Sequence, residues 1–378
     1  MMADTVLTAA KVAPLRFREA TLEDYPQIAA LESRYGLQPK GYEEWTHLWS
    51  HNPAYRQFSD WPIGWVCETE DDEIVGCIGN IPLAYEFGNR PLIAATSRAL
   101  VVDSRYRPYA FTLLSHFFNQ GKVDLFLNTT VNARASTLQH AFRALRVPAG
   151  TWDRAAFWIT NYRAFAASLL ARKEVRGGAL LSYLLSSGLL LKDTLVRKAM
   201  RAAGKGIAIQ FCDQFDDRFD VFWQRARNGC SLGLRGTRSC AVLNWHFKDA
   251  LATDRAWVLT ASDSRGLSAF GIFRRQDNPA FGLNRMRLVD FQALSGRTEL
   301  LRPILFAAWD RCRRDGLHML EAVGFCGSKQ EIIENLSPYY RELSSWRYFY
   351  KTNDQSLAAR LKDPQVWDTT CFDGDASL

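Results

Sequence analysis

Two arginines, Arg105 and Arg107, stand just ahead of an apolar run, Ala110–Gln120, whose spacing predicts a helix. A helix start presents unpaired backbone N–H groups and the positive end of the macrodipole, and arginines at its rim add charge-assisted bonds. That combination suits a pyrophosphate. Asn132 precedes a second helical run, Ala135–Leu145, where its side chain either caps the helix or faces a ligand. The eight cysteines contain no pair at CxxC spacing, and the tail carboxylates Asp373 and Asp375 lack companion ligands, so no metal site is expected.

Periodicity supplies the elements that must hold these residues. Leu15–Thr21 reads as a strand, and Thr21 with Asp24 three residues on reads as the cap of a helix carrying Tyr25, Ile28, Ala29 and Leu31. Trp45, Trp49, Tyr55 and Trp61 mark an aromatic loop, either a small core or a surface on which a sugar stacks. Gly64–Thr69 and Glu73–Phe87 form a hairpin around Glu70-Asp71-Asp72, followed by strands at Pro91–Val102, Asp124–Val131 and Ala155–Thr160. The order predicts an α+β layout, a central mixed sheet flanked by helices.

The second half runs through a similar order: strands at Trp257–Ala261, Leu267–Arg274, Met286–Leu294, Met319–Phe325 and Trp346–Lys351, with helices at Glu299–Arg314 and Gln330–Leu343. Trp45, Trp65 and Asp103 find counterparts in Trp245, Trp257 and Asp290, which points to a duplicated unit. The expected domains are 1–165 and 207–378, joined by a helical insertion at 166–206. That insertion concentrates the charge. Between Ala171 and Gly206 there are eight basic residues against two acidic ones, nearly all of the net +7 of the 378-residue chain. The rest is close to neutral, which argues against nucleic acid as a partner. Residues 178–205 combine an apolar stretch too short to span a bilayer with a helix placing Leu195, Val196, Ala199 and Met200 opposite Arg197, Lys198, Arg201 and Lys205. Two readings stand, a helix lying on an anionic membrane surface and an ordinary packed insertion.

The segments ALVVDSRYRPYAFTLLSHF and LFLNTTVNARASTLQHAFRALRV resemble the GNAT family of N-acetyltransferases, here in tandem. The resemblance implies a cofactor, acetyl-CoA or another acyl-CoA, held in the N-terminal copy. Its pantetheine arm would run along Leu100, Val101 and Val102, and its phosphates would meet Arg105, Arg107, Pro108, Tyr109, Ala110 and Thr112, with Asn132 nearby. The implied activity is acyl transfer to a small-molecule amine, an amino sugar or envelope-related compound among the acceptors. Ala110 and Thr112 stand where the family has glycine, Phe142 where many relatives have tyrosine, and Thr96 near a common glutamate position. Glu68 and His140 are therefore the candidate bases. The second copy lacks the phosphate turn and reads as degenerate.

The Asp373-Gly374-Asp375 ending resembles tandem acetyltransferase-like proteins of bacterial exopolysaccharide clusters. Two alternatives stay open: an aminoacyl transferase of the FemAB kind, and a catalytically inactive binding or scaffold protein. No secretory leader is read at the N-terminus, so a cytoplasmic protein is expected, with the insertion offering a peripheral contact to the inner membrane. The oligomeric state is not legible.

Overall fold

The computed structural model describes residues 14–174, 182, 186–190, 193, 209–229 and 233–378. Its elements begin with Arg16–Glu19 (β1). Thr21 and Asp24 then close a reciprocal capping box over a 3-10 turn, Leu22–Asp24, that leads into Tyr25–Arg34 (α1). The first part of the aromatic loop is a helix, Tyr42–Ser50 (α2), because Trp45 and Trp49 at i and i+4 share one buried face. The indole N–H groups of Trp49 and Trp61 both donate to the Asn80 carbonyl, at 2.8 and 3.2 Å, so this cluster is a small core.

Gly64–Glu68 (β2), Ile74–Phe87 (β3) and Arg90–Val102 (β4) follow, then Ala110–Phe118 (α3), Leu125–Val131 (β5), Ala133–Ala141 (α4), Leu145–Arg146 (β6), Arg154–Ile159 (β7) and Tyr162–Arg172 (α5). The second series is Ile209–Cys212 (β8), Asp217–Gly229 (α6), Leu234–Gly236 (β9), Cys240–Ala252 (α7), Ala256–Asp263 (β10), Gly266–Arg275 (β11), Arg285–Ala293 (β12), Leu301–Arg314 (α8), Met319–Val323 (β13), Gly327–Leu336 (α9), Tyr339–Glu342 (β14), Arg347–Lys351 (β15) and Gln355–Arg360 (α10). The helix expected to run from Gln330 to Leu343 stops at Leu336. Ser337 precedes Pro338 and is extended, as a residue before proline prefers, and the chain continues as β14.

The strands form two mixed sheets flanked by helices, the α+β architecture the sequence predicts. One has the order β1-β2-β3-β4-β5-β15-β6, with β9 added beside β3; the other is β14-β7-β13-β12-β11-β10-β8. Read from β1 and from β8, the two orders correspond strand for strand. Each has a parallel pair, β4/β5 in one and β12/β13 in the other. The sixth position of each sheet is filled from the other half of the chain: β15 pairs with β5, and β7 pairs with β13. The expected closing strands thus exist but are exchanged.

The chain divides into two compact units, the first formed by Met1–His51, Tyr55–Pro82 and Ser97–Lys122, the second by Asn52–Ala54, Leu83–Thr96 and Val123–Leu378. In the second unit, one face of the β10–β13 sheet packs Met286, Leu288 and Phe291 against Ile304, Leu305, Ala308 and Trp309 of α8. The other face packs Phe270, Ile272 and Val289 against Phe219 and Phe222 of α6 and Leu243 and Phe247 of α7. Each such fully buried side chain stabilises the fold by roughly 1.5–3 kcal/mol.

The apolar–basic helix expected over 178–205 lies outside the described residues except for Ser182, 186–190 and Asp193. Asp193 is buried and accepts hydrogen bonds from the hydroxyls of Tyr162 and Tyr339, at 2.9 and 2.7 Å. Among the described residues no helix is long and apolar enough to cross a membrane.

Candidate active site

In the first unit, β4 ends with half-buried Leu100, buried Val101 and half-buried Val102. Asp103 then accepts from the Arg105 backbone N–H at 3.1 Å and caps a 3-10 turn, Ser104–Tyr109, that runs directly into α3. The helical stretch therefore starts six residues earlier than expected, and an acid from the chain itself sits at its head. The Arg105 N–H, then a hydrogen bond with Tyr35 and the charge of the Arg105 guanidinium 3.6 Å away, hold the Asp103 carboxyl below the usual carboxylate range. Arg105, Arg107 and Pro108 are exposed, while Tyr109, Ala110 and Thr112 are half-buried on the first turn of α3. The structure thus gathers both arginines on one exposed turn.

Glu68 is buried on β2, and both of its carboxylate oxygens are engaged. Arg16 binds one and the Arg18 Nε binds the other at 2.8 Å, while Arg18 also holds Asp24 at the head of α1. This carboxylate ties β1 to β2. In the second unit, Asn132 is exposed and its side-chain oxygen accepts from the Ala135 N–H at 2.9 Å, capping α4. His140 is exposed at the other end of α4, its ring edge-on to Phe349 at 5.1 Å. Eight residues of helix, about 12 Å, separate these two.

Also in the second unit, β4 and β5 pair in parallel only over Ala94–Thr96 opposite Leu125–Leu127. On its other side β5 pairs with β15 from Phe126 to Val131. At the end of the short β4/β5 ladder the C-terminal segment enters. Asp373 is buried and accepts from the Tyr85 hydroxyl at 2.9 Å and the Thr370 N–H at 3.0 Å. Gly374 has a φ of +56°, and a Cβ there would lie 2.5 Å from Thr129 Cγ2 and 3.2 Å from Thr96 Oγ1. Asp375 accepts from Thr129 Oγ1 at 2.5 Å and Thr130 Oγ1 at 3.2 Å. Burial pushes the Asp373 carboxyl up to about 6, against the pull of Arg238. The hydroxyls of Thr96 and Tyr348 are buried without a hydrogen-bond partner.

The tail treats the second fork differently. β12 and β13 pair over Arg285–Leu288 and Met319–Ala322, and just beyond them Cys371 Sγ donates to the Val323 carbonyl at 3.2 Å and Thr369 Oγ1 to that of Gly324 at 2.8 Å. Arg238 binds Asp290 of β12 at 3.1 Å and reaches Thr370 at 3.3 Å. The chain's own tail thus lies along the second fork. In the sequence the tail aspartates stand out only as part of the Asp373-Gly374-Asp375 ending and as poor metal ligands. The signal available was the apolar company of Trp367, Cys371 and Phe372, which marks the segment as one that packs.

No protein-family model matches the chain, and no curated protein matches it. Solved structures do. Saccharomyces cerevisiae N-myristoyltransferase with bound myristoyl-CoA aligns with a TM-score of 0.56 at 11% identity, covering 90% of this chain and 79% of that one. A GCN5-related N-acetyltransferase from Anabaena variabilis gives 0.51 at 12% identity, covering 90% and 73%. A probable N-acyltransferase from Enterococcus faecalis gives 0.53 at 12% identity, covering 90% and 72%. At such identities what is shared is the fold: the chain has the GNAT-type fold of these structures over nine-tenths of its length.

Proposed function

We propose that the protein is an acyl-CoA-dependent N-acyltransferase acting on a small-molecule amine. The observation that carries this reading is the parallel β4/β5 pair that parts after three residues, in a chain whose fold is shared with a structure holding myristoyl-CoA. The residues fit the donor in the first unit. From Arg98 to Val102, β4 has no ladder partner on its β5 side among the described residues, which leaves backbone N–H and C=O groups to meet the amides of an extended pantetheine. Arg105 and Arg107 would hold its phosphates as charge-assisted donors, a task for which their exposure is suited. The thioester supplies an activated acyl group, and the acceptor nitrogen displaces its sulfur.

A binding-only reading draws on Asp103, whose carboxylate takes the helix start that phosphate would otherwise use. Titration calorimetry with acetyl-CoA and with myristoyl-CoA tests the choice. Binding of either ester, weakened about tenfold in Arg107→Ala, supports the transferase, that factor being the worth of about one charged hydrogen bond. Absence of binding to both leaves the binding-only protein.

A further inference from the structure

We propose that Arg285, Arg287 and Arg341 of the second unit form a binding site for a phosphate group, a site separate from the acyl-donor turn and independent of the transferase reading. Strand pairing sets these residues on one face of the second sheet. Arg287 stands opposite Glu321 and Arg285 opposite Met319, so by alternation both arginines share the Glu321 side, while Met286, Leu288, Leu320 and Ala322 lie on the α8 side. Arg341 comes from β14, across β7, where its paired neighbour is Ala155 and Ala155 in turn pairs with Val323. The three guanidiniums converge on one carboxylate. Arg287 Nη2 lies 2.6 Å from Glu321 Oε1, Arg285 Nη1 lies 3.4 Å from Oε2, and Arg341 Nη2 also binds Oε2.

The charges there do not balance. Three cations meet one anion, and no other carboxylate among the described residues forms an ion pair with them. Asp277 faces Arg285 but is engaged by Arg275 at 2.6 Å. Glu321 is fully enclosed and Arg287 is 3% exposed, so water screens the excess of positive charge poorly. Burial, with the like charges of Arg287 and Arg341, pulls Arg285 down to about 10 against the attraction of Glu321. Glu321, despite its burial, is held down at about 2 by Arg287, Arg341 and Arg285. At neutral pH all four groups therefore stay charged.

Two donors are left over. Arg287 spends Nε and Nη2 on Glu321, and its Nη1 is buried without a hydrogen-bond partner; the Nε of Arg341 is buried and unpartnered as well. Charged N–H groups left buried and unpaired are costly, and a bound oxyanion supplies acceptors for both. The two donors belong to different guanidiniums, which suits oxygens fanning out from a tetrahedral phosphorus better than a planar carboxylate clasped by one fork. A phosphate monoester near pH 7 carries about −1.5 to −2, which matches the excess. The Arg341 side chain is 32% exposed and gives the ligand its way in, while the Trp346 ring packs on the Arg287 guanidinium at 4.9 Å.

The test is titration calorimetry of the full chain with inorganic phosphate and with glucose 6-phosphate at constant ionic strength, with succinate as the carboxylate comparison. Co-sedimentation with phosphatidylcholine vesicles, with and without phosphatidic acid, runs beside it. Wild type should bind a phosphate probe with a Kd of about 1 mM or tighter, and Arg341→Gln should weaken binding about tenfold or more, the worth of a charged hydrogen bond. Arg341→Lys keeps the charge beside Glu321 but loses the buried Nε, so it carries the test if the glutamine variant fails to fold, with binding weakened about threefold or more. Arg107→Ala should leave the affinity within about twofold, which separates this site from the donor turn. Binding of the soluble phosphates alone assigns the group to a small molecule; vesicle capture that needs phosphatidic acid and is lost in the Arg341 variant assigns it to a lipid headgroup. No binding of any phosphate probe, succinate binding as tight as phosphate, or unchanged affinity in a folded Arg341 variant overturns the proposal, whatever the result with acyl-CoA.

Discussion

Replacing Asp373 by asparagine should make the protein progressively more stable than wild type as the pH rises. The Asp373 carboxyl is fully enclosed, and burial lifts it from an ordinary 3.8 to about 6. A carboxyl raised in the folded state binds its proton more tightly there than in the unfolded chain. Its favourable contribution is therefore complete below 3.8 and is lost as the pH climbs through 6. Worked from those two values, ionisation costs wild type about 1 kcal/mol at pH 4.5 and about 3 kcal/mol at pH 7.5. The neighbouring groups do not titrate in this window: burial raises Tyr85 and Tyr348, while Asp290 is held low by Arg238 despite its burial. Asp373→Asn removes the titration but keeps an oxygen to accept from Tyr85, so the wild-type-minus-variant gap should widen by about 2 kcal/mol between pH 4.5 and 7.5. Urea unfolding followed by tryptophan fluorescence reads it directly. Parallel stability–pH curves for the two proteins would refute the reasoning.

Gly374→Ala should loosen the tail, since a left-handed alanine costs about 1–2 kcal/mol before the overlap with Thr129 is counted. Hydrogen exchange at the Thr370 and Asp373 amides should accelerate at least tenfold, and unchanged protection would contradict the packing described. Arg238→Met should strand buried Asp290 and destabilise by about 3–5 kcal/mol, with much of the loss recovered in Arg238→Met/Asp290→Leu. Thermal melts of the single and double variants check this, and equal melting temperatures would count against it.

Much of the architecture was legible because alternation and helical spacing are local properties. The Thr21–Asp24 capping box and the alternation of each strand in the hairpin before β4 can be seen in short windows of sequence, and the paired orders of the two halves follow from reading such windows in series. Partnership is not local. Ala155 to Thr160 reads correctly as a strand, yet nothing in its alternation says that it joins Met319–Val323 rather than its own half. Trp45 and Trp49 read as part of a loop because their aromatic density obscures an i,i+4 face. The arginine turn was readable around Arg107, but the competing cap from Asp103 was not, since it depends on where the turn tightens into a 3-10 helix. The tail was least visible: its burial comes from Tyr85, Thr129 and Gly324, all far away in the chain.

The crossed strands also bear on how the chain is made. Leu127 of β5 finds its neighbour in Tyr350, so during synthesis the first sheet emerges without its sixth strand and must wait while most of the remaining chain is translated. At typical elongation rates that delay is on the order of ten seconds or more, far longer than a hairpin needs to form. Through that interval the free edge of β5 is open to mispairing, and β7 leaves the ribosome well before its own partner, β13. The exchange commits both halves to maturing together, so expressing either half alone should give aggregation-prone material, and co-expressing the two as separate chains should rescue it.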